Sequence, residues 1–114
     1  MSEQRQLDAM RLLQAAPEMS QRELAKALGV SLGATNYCLQ ALVRKGWVKL
    51  ENFQENPNKM SYLYLLTPKG VAAKTRLTAR FLRRKLADYE TLKSEIEQLR
   101  LEVRQAEQPQ NRRR

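Results

Sequence analysis

Ser20 to Trp47 reads SQRELAKALGVSLGATNYCLQALVRKGW. Ser20 and Glu23 stand at the spacing where a hydroxyl and a carboxylate reciprocally satisfy the free N–H groups of a helix start, so a helix begins near Gln21. Leu24, Ala25 and Leu28 share one face of it, and Gln21, Arg22 and Lys26 share the other. Gly29 supplies the left-handed backbone that stops a helix, Val30 an apolar plug, and Ser31 the cap of the next helix. In that second helix Leu32, Thr35, Leu39 and Leu42 form the expected inward stripe. Gly33, Ala34, Asn36, Tyr37 and Gln40 are left facing outward near its N-terminal half. Two short amphipathic helices joined by a tight turn make a helix-turn-helix.

Residues 4–16 carry Leu7, Met10, Leu13 and Ala16 at helical spacing, and Pro17 ends that run because it disfavours a helical Ala16. This first helix closes a three-helix core that two helices alone could not make. Gly46 ends the second helix of the pair after Arg44 and Lys45, cations placed beside the negative end of its dipole. Trp47–Phe53 and Met60–Leu66 are rich in aromatic and aliphatic residues and flank the turn former QENPN, which predicts a β-hairpin, a wing. Lys59 is the cation near its tip. Trp47, Phe53, Tyr62 and Tyr64 could offer a base-stacking platform, but alternating strand positions point to core. Thr67 then caps a helix with Pro68 at its first position, and helical spacing continues to about Ala106.

Along that helix Leu82, Tyr89, Ile96 and Val103 repeat every seven residues, and Leu92, Leu99 and Ala106 repeat in the companion register. Lys85 interrupts the companion register near the start, so the seam tightens from Tyr89. A helix of about 55 Å overruns so small a domain, which favours a homodimer through a coiled coil, with Leu82, Tyr89, Leu92, Ile96, Leu99 and Val103 as the dimerisation residues. The fold class is mainly α with a small β-hairpin. Residues 1–70 form a winged helix-turn-helix, 71–107 a long basic helix with the coiled coil, and 108–114 a disordered basic tail.

The 114 residues carry 21 Lys and Arg against 12 Asp and Glu, a net charge of +9, which favours a polyanionic partner. From Glu55 to Asp88 no acidic residue intervenes, whereas Lys59, Lys69, Lys74, Arg76, Arg80, Arg83, Arg84 and Lys85 all fall there. The alternative to a phosphate-contacting strip is a solvated helix face. No stretch approaches the roughly 20 apolar residues of a membrane span, and no signal-peptide core opens the chain, so no membrane partner and a cytoplasmic location are expected. One cysteine and no histidine, with no carboxylate pair or Gly-rich phosphate loop, exclude the usual catalytic and metal-binding arrangements: no enzyme, catalytic residue, metal or cofactor is expected. Cys38 reads as a packing residue; the alternative is a redox sensor whose thiol pKa is lowered by Arg44.

A B-DNA major groove about 12 Å wide admits a helix with a slim leading face, and Asn and Gln pair bidentately with adenine edges. Gly33, Ala34, Asn36, Tyr37 and Gln40 therefore form the candidate base-reading set on double-stranded DNA. Ser20, Arg22, Ser31, Arg44, Lys59, Arg80, Arg83 and Arg84 are the candidate backbone contacts. Two other readings compete: a winged helix that docks protein, which would expose Leu or Phe on this face, and a sequence-blind nucleic-acid binder.

The order of helix, SQRELAKALGVS turn, second helix, KGWV, hairpin and YLLTPKG resembles the winged-helix regulators of the MarR family. RELAKALGVSLGATNYCLQALVRKGWVKLENF and RLTARFLRRKLADYE resemble in particular the short MarR-type regulators associated with exopolysaccharide gene clusters, over about Leu7 to Leu99. The resemblance implies a repressor that binds a palindromic operator as a homodimer and acts on exopolysaccharide genes. By matching position it puts Gly33, Ala34, Asn36, Tyr37 and Gln40 toward bases, with Ser31 and Arg44 near phosphate. Larger members carry an Arg-rich wing and extra helices around a ligand cleft. This wing is Arg-free and the C-terminus is a single coil, so no effector is assigned.

Overall fold

A computed structural model describes residues 2–56 and 59–108, with the backbone alone at 53–56 and 59–61. Its elements are α1 (Glu3–Ala15), α2 (Gln21–Leu28), α3 (Leu32–Arg44), β1 (Val48–Asn56), β2 (Lys59–Leu66) and α4 (Pro68–Glu107). The chain divides into two units, residues 1–78 and 79–114.

Local chemistry sets the element boundaries in the first unit. Ser2 Oγ accepts from Arg5 N to start α1, and the helix stops at Ala15, with Ala16 as a non-helical C-cap before Pro17. The α2 start is a complete capping box: Glu23 N donates to Ser20 Oγ at 3.1 Å and Ser20 N donates to Glu23 Oε1 at 3.2 Å. Gly29 (φ 71°) and Gly46 (φ 76°) hold the left-handed conformation expected after α2 and α3.

Three helices enclose one small core. Leu7, Met10 and Leu13 from α1, Leu24 from α2, Leu39 and Leu42 from α3, and Val48 at the start of β1 are all buried, and Ala73 and Leu77 of α4 close it. Each buried Leu, Met or Val side chain contributes about 1.5–3 kcal/mol by leaving water. Thr35 is also fully buried, and its hydroxyl donates to Ser31 O at 3.0 Å, so no polar atom is left unmet there. Leu32 departs from the expected stripe: it is 42% exposed. It opens the first turn at the margin of the buried arc, and Cys38, 0% exposed, fills the inward position instead.

The hairpin pairs β1 and β2 antiparallel from Val48↔Leu66 to Asn56↔Lys59, with an irregularity between Gln54 and Asn56. Both strands run further than the sequence predicts, so most of the expected QENPN turn is strand. Tyr62 was expected in the core and is 57% exposed. By alternation Tyr62 shares its strand face with the half-buried Tyr64 and Leu66, but it lies further out along the hairpin, opposite the exposed Asn52. Tyr64 is half-buried, and its hydroxyl accepts from Gln21 Nε2 at 2.9 Å, which ties the wing to the start of α2.

The junction of α3, β1 and α4 is knitted through backbone. Trp47 N donates to Leu42 O, and Thr67 N donates to Trp47 O at 3.0 Å. The Thr67 hydroxyl donates to Gly46 O at 2.6 Å while accepting from Gly70 N at 2.9 Å, so one side chain caps α4 and locks the end of α3. Gly70 passes so close to Trp47 that an added Cβ would overlap the Trp47 carbonyl. Lys45 donates to Gln6 Oε1 at 2.9 Å, and its ammonium lies 4.5 Å from the Trp47 ring centroid.

In the second unit, α4 continues unbroken through Glu107. Among the described residues, no helix is long and apolar enough to cross a membrane.

Candidate nucleic-acid interface

The outward face of α3 follows from helical geometry. Gly33, Asn36, Tyr37, Gln40 and Arg44 recur at offsets of three, four, seven and eleven residues, which keeps them within an arc of about 100°. All five are exposed, Tyr37 at 62%. Ala34, half-buried, sits at the margin of that arc. On the opposite side Thr35, Cys38, Leu39 and Leu42 anchor the helix in the core. The α3 sequence contains no Asp or Glu, so nothing on this face repels a phosphate backbone.

Two caps bracket the helix pair. Ser31 Oγ accepts from Ala34 N at 3.0 Å, and Ser20 Oγ accepts from Glu23 N. The Ser31 hydroxyl keeps its own proton for a further acceptor. Arg22 is exposed on α2, and Arg44 on the last turn of α3. The side chain of Lys59 lies outside the described residues.

Two groups have shifted acidities. The Glu23 carboxyl is held below the usual carboxylate range, first by the Ser20 backbone N–H and then by the Ser20 side chain. Burial pushes the Cys38 thiol up, with Arg5 and Lys45 pulling weakly the other way. Arg44, on which the redox-sensor alternative relied, is not among these: its residue is exposed while Cys38 is buried, as the packing reading expects.

In the second unit Arg80, Arg83 and Arg84 are exposed, and the Arg84 guanidinium lies 4.9 Å from the Phe81 ring centroid. Within this segment they occupy the side of α4 turned away from Leu82, Leu86 and Tyr89, at 100° per residue. Leu82, Tyr89, Leu92, Ile96, Leu99 and Val103 are each 40–59% exposed. Sequence reasoning missed Leu86, 54% exposed. Its signal was its place four residues after Leu82 and three before Tyr89, which carries the apolar stripe past Lys85.

Residues 3–49 match the family described as winged helix-turn-helix DNA-binding. The match covers α1 to α3 and the start of β1. Similar solved structures include the PcaV transcriptional regulator from Streptomyces coelicolor in complex with its natural ligand, 18% identical with a TM-score of 0.67 over 90% of this chain and 71% of that one. MepR, a transcription regulator of the Staphylococcus aureus multidrug efflux pump MepA, is 20% identical with a TM-score of 0.60 over 87% and 73%. A MarR/EmrR family transcriptional regulator from an Acinetobacter species is 18% identical with a TM-score of 0.60 over 92% and 78%. The fold is that of the MarR-family transcription regulators. No curated protein matches the chain at a significant level.

Proposed function

We propose that the protein is a cytoplasmic transcriptional repressor that binds a palindromic operator in double-stranded DNA as a homodimer. The carrying observation is the exposed, acid-free face of α3, where Gly33 and Ala34 keep the leading turn slim and Asn36, Tyr37 and Gln40 present hydrogen-bonding groups. Ser20, Arg22, Ser31 and Arg44 hold the phosphates flanking that helix, and Arg80, Arg83 and Arg84 supply a separate cationic patch. Residues 1–70 serve DNA binding and 71–107 serve dimerisation. The family resemblance in the sequence supports exopolysaccharide genes as the target.

Selecting bound fragments from genomic DNA tests binding and names the operator together. On the selected duplex, Asn36→Ala or Gln40→Ala should lower discrimination against a scrambled duplex by about 1–3 kcal/mol. Both variants behaving like the parent on every duplex would remove the base-reading assignment. Equal affinity of the parent for selected and random duplexes would leave only sequence-blind binding.

A further inference from the structure

The seam of α4 shows side chains that a single copy leaves in water. Leu82, Tyr89, Ile96 and Val103 occupy one heptad position (a), and Leu92, Leu99 and Ala106 its companion (d). From Leu82 to Ala106 the stripe is about 37 Å long, at 1.5 Å per residue. What covers it is decided by the residues flanking it. On one side, at the g positions, stand Asp88, Glu95 and Glu102; on the other, at the e positions, stand Lys93, Arg100 and Glu107.

We propose that two copies of α4 wind along this stripe as a parallel, in-register, two-stranded coiled coil. The proposal rests on the homodimer reading above and adds the orientation to it. In a parallel pair each g residue faces the e residue five positions later on the other copy. Asp88 then meets Lys93, and Glu95 meets Arg100, each contact made twice by symmetry; Glu102 and Glu107 form the one like-charged pairing. In an antiparallel pair centred on the same seam, g faces g and e faces e. Acids would then meet acids, and Lys93 and Arg100 would meet cations. The apolar positions agree with the charges: β-branched Ile96 and Val103 at a, with Leu92 and Leu99 at d, is the combination that favours two parallel strands. Arg100 lies 3.6 Å from Glu97 within its own helix, but that pair is widely exposed and yields readily to a partner across the seam.

The test uses the full chain with Cys38→Ala as background. Leu92→Cys and Ala106→Cys are made separately, exposed to oxidised glutathione, and compared with sedimentation of the unoxidised proteins. The expected result is a disulfide-linked dimer from each, because a parallel in-register coil sets identical d positions side by side. A sedimenting dimer in which either cysteine fails to cross-link overturns the parallel, in-register arrangement and leaves the homodimer standing. A monomer at micromolar concentration overturns both. Charge exchange gives an independent reading: Glu95→Arg should weaken dimerisation roughly tenfold, and adding Arg100→Glu in the same chain should restore it. Tighter dimerisation by Glu95→Arg alone is the antiparallel result and overturns the proposal.

Discussion

Gly33 stands in open space: the nearest atom that an added Cβ would meet is Ser31 Oγ at 4.0 Å. Its backbone is ordinary helix, so Gly33→Ala should fold and gain up to about 1 kcal/mol of stability from helix propensity. The same methyl would enter the space that a major-groove wall occupies in the proposed complex. Operator affinity should therefore fall roughly tenfold, about 1.4 kcal/mol, while the melting temperature holds or rises. Parallel melting and mobility-shift measurements check it, and unchanged affinity would mean that Gly33 stands back from the DNA. At this scale the outward face of α3 was legible because helical spacing assigns it, five residues on one arc. Leu32 and Tyr62 were misread because each lies where periodicity loses its grip, one in the first turn of a helix and the other far out along a hairpin, past the half-buried Tyr64 and Leu66 of its own face.

The α2 start and the α3–α4 junction show how unevenly elements announce themselves in sequence. The capping box was legible because it is local, a hydroxyl and a carboxylate three residues apart. It also makes a pH prediction. The folded Glu23 carboxyl is held below its ordinary range, so its contribution is present at neutral pH and is lost as acid titrates it through that lowered value. Glu23→Gln should flatten the acid limb of a plot of melting temperature against pH while leaving the alkaline limb alone. The contact between Gly70 and Trp47 was illegible, because nothing local in TPKG reports that a carbonyl more than twenty residues earlier passes against that helix. Gly70→Ala should therefore reverse the usual helix rule and destabilise the first unit by about 1–3 kcal/mol, since the obstacle is backbone and cannot rotate away. Thermal denaturation decides this; a rise in melting temperature would show that the junction can relax.

For the molecule as a whole the net charge of +9 pointed to a polyanion, but the total overstates what DNA can use. Lys45 is engaged with Gln6 and the Trp47 ring, and Lys74 donates to Gln14 Oε1 at 2.6 Å, so both ammonium groups bind helices of their own chain together. Operator affinity should fall with salt at a logarithmic slope of about −0.9 per phosphate contacted. Arg83→Ala should reduce that slope by about 1 and weaken all duplexes alike, whereas Lys45→Met should lower stability and leave the slope where it was. Fold class was legible at this scale because a cap, a turn, a hairpin and a heptad are each short-range patterns whose order along the chain specifies the architecture. How individual cations are used was not, because their partners come from distant elements.

Trp47 is the single tryptophan of the chain, half-buried at the meeting point of α3, β1 and α4 under the Lys45 ammonium. Its fluorescence therefore reports on that junction alone, and the distal turns of α4 are silent in it. Circular dichroism, by contrast, is weighted toward the long helix. Heating the protein while following both signals separates melting of the first unit from unwinding of the long helix, with no label attached.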